Sequence, residues 1–229
     1  SMKTLENYFF NQKKSLGLEK WHHYFDIYER HFNRYVNKKP IVLEIGVQRG
    51  GSLCMWNEYF GDGCTIYGID ISPECMNIHK TLGLDNIHVE IGDQGDPVFW
   101  DRYLANKPKF DIVIDDGGHT CRQQIVTFEK IYDHIDKDGV YLCEDLYTSY
   151  WPNFGGGLNK KGSFIEYSKK FIDLLHAFHI LNKERSKISK RKTLPLDFRK
   201  KTNSIHYYDS IIVLEKKADD VGPQRSVQS

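Results

Sequence analysis

Asp115-Asp116-Gly117-Gly118-His119 and Glu144-Asp145 are the groups of this chain best suited to chemistry, because each closes a short apolar run. The runs before them, Phe110 to Ile114 and Gly139 to Cys143, read as fourth and fifth strands, so the acids meet at one sheet edge. Carboxylates crowded into a small space repel, and without a counter-charge they are strongly unfavourable. A divalent cation removes that cost, and an all-oxygen set without cysteine favours Mg²⁺, Ca²⁺ or Mn²⁺ over structural zinc. Such an ion would orient a substrate hydroxyl and lower its pKa while His119, intrinsically near neutral, takes the proton. Strand-end acids also cap helices or bind ribose, and these residues alone leave that reading open.

A second group lies upstream. Ile41-Val-Leu-Glu-Ile-Gly-Val-Gln-Arg-Gly-Gly-Ser52 is a β-branched run that breaks into a glycine turn, and the run ending Tyr67-Gly-Ile-Asp-Ile-Ser72 puts Asp70 24 residues after Gly46. This is the opening βαβ of a nucleotide-binding α/β fold, with turn amides close to a ligand and Asp70 placed for ribose hydroxyls. The turn is not G-x-G-x-x-G: Val47, Gln48 and Arg49 separate Gly46 from Gly50, a poor fit to a pyrophosphate. Glu44, inside the first strand, suits the sulfonium and ammonium charges of S-adenosylmethionine (SAM) instead. A tight turn without a ligand is the alternative.

Positioning these groups requires regular elements. From Lys20 to Tyr35, Trp21, Tyr24, Phe25, Tyr28 and Phe32 recur at helical spacing, an aromatic stripe read as core or lid packing, with His22, His23 and His31 satisfied or solvated. Ser52 to Phe60 reads as a helix, Ser72-Pro73-Glu74 as the start of another, and Ile87 to Ile91 as a third strand stopping at Gly92-Asp93-Gln94. Gln123 to Ile135 and Phe164 to Leu181 have helical spacing, residues 146–162 form a loop, and Ile205 to Lys216 closes the sheet. Three strand-loop acids then lie at successive carboxyl ends, the ligand-binding edge of open α/β sheets.

Composition bounds the answer. The 229 residues, 40% of them hydrophobic, support one α/β domain with attachments. We expect an N-terminal helical extension over 1–38, the main domain over 39–217 and a disordered tail over 218–229. A net charge of +1 gives no reason to expect nucleic acid or an anionic membrane, and five scattered cysteines suit a reducing cytoplasm. No run spans a bilayer, the start lacks a signal-peptide core, and Ser1 ahead of Met2 reads as an addition from expression.

Glu44-Ile-Gly-Val-Gln-x-Gly-Gly-Ser52, Gly68-Ile-Asp-Ile71, Gly92-Asp-Gln94, Ile114-Asp-Asp-Gly-x-His119 and Glu144-Asp-Leu-x-Thr-Ser-Tyr-Trp151 together resemble the macrocin and mycinamicin sugar O-methyltransferases. These are class I SAM-dependent enzymes that require Mg²⁺, and some sequences of this appearance carry the label cephalosporin hydroxylase. The resemblance runs from about Trp21 to Glu215 and implies a Rossmann-like, seven-stranded, mostly parallel sheet with one antiparallel strand, often in a homo-oligomer. By resemblance, Asp116, Glu144 and Asp145 hold the metal, and His119 is the base with Asp116 beside it. Asp70 with Ile71 serves the ribose, Asp93 and Gln94 the adenine region, and Glu44, Gly46, Ser52 and Asp115 the methionyl part. Gly118 stands where the family usually has Ser, which removes a hydroxyl behind the metal.

Tyr147, Tyr150 and Trp151 follow the acids directly and are placed to stack on a sugar face, with glycines 155 to 157 as loop hinges; simple loop packing is the other reading. Lys183 to Lys201 holds nine basic residues, a solvated face or an anion clamp. The expected activity is methylation of a sugar hydroxyl on a small-molecule or glycan acceptor, in natural-product or surface-polysaccharide synthesis. A metal-dependent hydroxylase or hydrolase and a non-catalytic SAM-binding partner are the alternatives. An iron oxygenase wants two histidines and one carboxylate, whereas only His119 lies in the cluster.

Overall fold

The computed structural model describes residues 5–11, 17–188, 197–219 and 222–229. Helices α1 (Leu5–Asn11) and α2 (Tyr24–Phe32) precede strand β1 (Ile41–Ile45) and α3 (Gly51–Phe60). Then follow β2 (Thr65–Asp70), α4 (Ile78–Leu82), β3 (Ile87–Ile91), α5 (Pro97–Leu104), β4 (Phe110–Asp115), α6 (Cys121–Ile131) and β5 (Ile135–Cys143). Helices α7 (Phe164–Leu175), α8 (Asn182–Ile188) and α9 (Phe198–Lys201) lead to β6 (Thr202–Tyr208) and β7 (Ile211–Lys216).

The strands form one seven-stranded sheet in the order β3-β2-β1-β4-β5-β7-β6. The first five pair in parallel, and β7 runs against both β5 and β6. Ile205 to Lys216 therefore does supply the last pair, split by a turn at Asp209-Ser210, where Ser210 has φ +66°. The near-continuous apolar runs reflect burial on both faces. On one face Leu43, Val113 and Tyr141 join Trp100, Phe128 and Phe171 of α5, α6 and α7. On the other, Val42, Ile112 and Leu142 join Tyr28, Phe32 and Trp56 of α2 and α3. The N-terminal helices thus share the core of the sheet.

Several boundaries differ from expectation. The stripe from Lys20 yields a helix only from Tyr24, because the chain before it turns inward and Lys20 buries its side chain. Ser72 makes no side-chain cap, its amide donates to Asp70 Oδ1 at 2.9 Å, and the segment after Pro73 is a 3-10 turn before α4. Helix α5, unmarked by periodicity, starts where Asp96 accepts from Val98 N–H at 2.9 Å with Pro97 in the first turn. Residues 222–229 carry no helix or strand.

Candidate active site

The parallel ladder aligns the reactive residues. In register, Ile45 faces Asp115 and Asp115 faces Cys143, so Gly46, Asp116 and Glu144 stand one step past the strand ends. The ladder continues there: Gly46 N–H donates to Ile69 at 2.8 Å, Asp116 N–H to Ile45 at 2.9 Å and Glu144 N–H to Asp115 at 3.1 Å. This is the point where the strand order reverses about β1 and β4, and a crevice opens at the carboxyl edge.

The glycine turn is shaped by its neighbours. Gly46 has φ +96°, and a Cβ there would lie 1.9 Å from the carbonyl oxygen of Asp116. Asp70 Oδ2 accepts from the amides of Val47 and Gln48 at 2.8 and 3.0 Å, tying the turn to the end of β2. Glu44 is fully buried: Ser52 Oγ donates to one oxygen and Trp56 Nε1 to the other at 2.6 Å. Burial pushes its carboxyl up to about 7, with Lys20 opposing the rise. A cleft runs along this edge between Gly46, Asp70, Ile71, Asp93, Gln94 and Gly117.

Gln94 organises the far wall. Its amide nitrogen donates to Asp115 at 3.1 and 3.2 Å and to Thr127 at 3.0 Å, while its oxygen accepts from Gly118 N–H at 2.9 Å. Asp115, 1% exposed, also accepts from Gly117 N–H, and burial raises its carboxyl to about 6. At Gly118 a Cβ would lie 2.3 Å from Gln123 Oε1, so the Gln123 side chain of the capping box at Thr120 occupies that space.

The acids converge beside this cleft. One ligating atom each from Asp116, His119 and Asp145 lies within 4.8 Å of the others. His119 Nε2 is 3.2 Å from Asp145 Oδ2 and 3.7 Å from Asp116 Oδ1, and its Nδ1 is buried with no hydrogen-bond partner among the described residues. Both His119 and Asp145 hold positive φ, +64° and +61°, and Thr148 Oγ1 pins the His119 carbonyl at 2.7 Å. Such a face suits a hard divalent cation with a base beside it.

Glu144 belongs to the same cluster but faces elsewhere. Tyr28 donates to its Oε1 at 2.6 Å, and Lys20 Nζ lies 3.0 Å from its Oε2. Lys20 also meets Asp116 Oδ2 at 2.9 Å, with side-chain exposure of 1%. Burial alone would push this ammonium down, but Asp116 and Glu144 reverse that and hold it well above its ordinary value. Burial, with Asp116 next, raises the Glu144 carboxyl. Tyr24 donates to Asp145 Oδ1 at 2.7 Å. Sequence reasoning took Tyr24 and Tyr28 as packing and gave Lys20 no role. The only local signal is the four-residue spacing of the phenols Tyr24 and Tyr28 on one face of α2; Lys20 lies outside that helix.

Of the expected aromatics, Tyr147 borders both the acid cleft and a neighbouring one lined by Lys20, Trp21, Tyr24 and Glu144. Ring centroids run Trp21 to Tyr147 at 6.1 Å and Tyr147 to Trp151 at 4.9 Å, an open row in which Trp21 is 58% and Trp151 47% exposed. Tyr150 is exposed and lines neither cleft. The glycines after this row are held, not free: Gly156 and Gly157 amides donate to Trp151 and Ser149 at 2.9 and 2.8 Å. Of the basic stretch, residues 189–196 lie outside the described residues, and Lys201 is paired with Asp133 and Asp197.

Residues 43–146 match the family described as a methyltransferase domain. The chain is 32% identical over 214 residues to the 8-demethyl-8-alpha-L-rhamnosyl tetracenomycin-C 2'-O-methyltransferase of Streptomyces olivaceus, covering 89% of this chain and 53% of that protein. It is 33% identical over 207 residues to the mycinamicin VI 2''-O-methyltransferase of Micromonospora griseorubida, covering 85% and 48%. The solved structure of the MycE methyltransferase from the mycinamycin pathway, in complex with Mg, SAH and mycinamycin VI, superposes with a TM-score of 0.77 at 29% identity, covering 96% of this chain and 55% of that one. The chain spans about half the length of the curated relatives it matches.

Proposed function

The chain belongs to the class I SAM-dependent methyltransferases, alongside the sugar O-methyltransferases of macrolide and tetracenomycin pathways, and on that premise we propose that it methylates a hydroxyl of a sugar-bearing acceptor with the help of Mg²⁺. The observation that carries the reading is the meeting of Asp116, His119 and Asp145 at the mouth of the cleft beneath Gly46.

The residues present fit both groups. SAM would supply an electrophilic methyl, its ribose beside Asp70 and Ile71, its adenine beside Asp93 and Gln94, and its methionyl part along Gly46 and Ser52. Glu44 and Asp115 act on that wall from beneath, through Ser52 and Gly117. Mg²⁺ would acidify a bound hydroxyl, held by Asp116 and Asp145 on the oxygen-rich face that His119 adjoins, with Glu144 as the third carboxylate once Lys20 gives up its oxygen. His119 takes the acceptor's proton at Nε2, the nitrogen that faces Asp145 and Asp116.

Tyr147 and Trp151 give the acceptor an aromatic wall, and stacking on a sugar's apolar face needs no matching of hydroxyl positions. The reading places the enzyme in the cytoplasm, where its free cysteines stay reduced. The test is methyl transfer from labelled SAM to a panel of glycosides and nucleotide sugars, with Mg²⁺ or with chelator. Transfer that persists undiminished under chelation removes the metal role, and calorimetry without SAM binding removes the whole reading.

A further inference from the structure

We propose that Lys20 is a resident counter-cation of the carboxylate site, competing with the divalent metal for Asp116 and Glu144 and so keeping that metal exchangeable; the inference rests on the metal reading above. The geometry behind it is specific. The ammonium bridges Asp116 Oδ2 and Glu144 Oε2 at 2.9 and 3.0 Å, and it lies 5.7 Å from the centre of the Tyr28 ring. Its side chain is 1% exposed, so water screens this charge poorly.

Charge bookkeeping gives the direction. Asp116, Glu144 and Asp145 carry three negative charges when ionised, and one ammonium leaves two, the charge of a single divalent ion. Lys20 therefore lets the cluster exist without metal, since the buried Glu144 carboxylate beside Asp116 would be strongly unfavourable without any cation. The same ammonium repels an arriving cation and occupies two of the oxygens that would bind it. Lys20 reaches the site from the coil before α2, and the cleft lined by Glu19, Trp21 and Tyr147 borders its side chain, leaving room for the ammonium to shift. Lysine suits this role because its charge sits at the tip of a flexible stem.

The experiment is Mn²⁺ binding, followed by electron paramagnetic resonance, to wild type, Lys20→Met and Lys20→Gln, with SAM affinity measured in parallel as a check on the fold. Both variants should bind Mn²⁺ at least about tenfold more tightly than wild type. Without metal they should melt at lower temperature than wild type, and Mn²⁺ should restore more of that loss than it adds to wild type. Variants unstable without metal are purified with Mn²⁺ and their affinity read by chelator competition. Equal or weaker Mn²⁺ binding with SAM affinity retained overturns the role of Lys20 alone. A wild-type protein that binds no Mn²⁺ overturns the metal reading and this inference together.

Discussion

Tyr24 donates its hydroxyl to Asp145 Oδ1 at 2.7 Å, while the other oxygen of Asp145 faces His119 Nε2 at 3.2 Å. A helix outside the sheet thus fixes one side of the carboxylate whose other side meets His119. Removing the phenol in Tyr24→Phe should cost about 1 kcal/mol in urea unfolding, the net value of one hydrogen bond. It should also lower kcat several-fold with SAM affinity unchanged, because Asp145 loses its orientation and not its charge. A loss of SAM binding equal to the loss of turnover would reduce Tyr24 to a packing residue.

His119→Ala should lower kcat by about 10²- to 10⁴-fold, the range for removing a general base. SAM affinity by calorimetry should stay within about twofold, since the proposed role of His119 is proton removal from the acceptor and not contact with SAM. Retained turnover would move the base elsewhere.

The buried carboxyl of Glu44 gives a pH signature. Its pKa is pushed up to about 7 from an ordinary 4.5, chiefly by burial, so the folded chain holds this proton more tightly than the unfolded chain. Stability from this group is greatest below about pH 4.5, falls as pH rises through the window to about 7, and is then lower by about 3 kcal/mol. Glu44→Gln cannot ionise, so urea melts should show the variant gaining on wild type by about that amount between pH 4.5 and 8. A difference between the two proteins that stays flat across this window would contradict the assignment.

Gly46→Ala should cost at least about 2 kcal/mol and abolish measurable SAM binding, because the added Cβ meets the Asp116 carbonyl at a positive φ. Calorimetry and urea melts on the same sample check both halves. Near-native SAM affinity would mean that the turn and Asp116 move apart at little cost.

Trp151→Ala and Trp21→Ala should each raise the acceptor KM about five- to tenfold while leaving SAM affinity intact, since both rings pack against Tyr147. Steady-state kinetics at saturating SAM gives the answer. Equal effects on acceptor and SAM would point to structural damage.

The βαβ opening, the strand-end acids and His119 were legible in the sequence because their signals are local. A buried parallel strand is a short apolar run, a turn that admits no Cβ shows as glycine, and the residue after such a run must sit at the sheet edge. Register then brings Asp116 and Glu144 together without further information. The closing pair of strands was legible only as one alternating segment, since the turn at Asp209-Ser210 has no glycine to mark it.

Lys20, Tyr24 and Tyr28 were visible in the sequence only as a basic residue and an aromatic stripe. Their partners lie 96 to 124 residues away, at Asp116, Asp145 and Glu144. The sequence by itself determined which acids reach the edge of the sheet, because strand and turn signals act between neighbours along the chain. Only the tertiary structure decided how their charge is balanced: a buried carboxylate takes whichever donor the packing of α2 and the coil before it brings to about 3 Å, and no local pattern encodes that meeting.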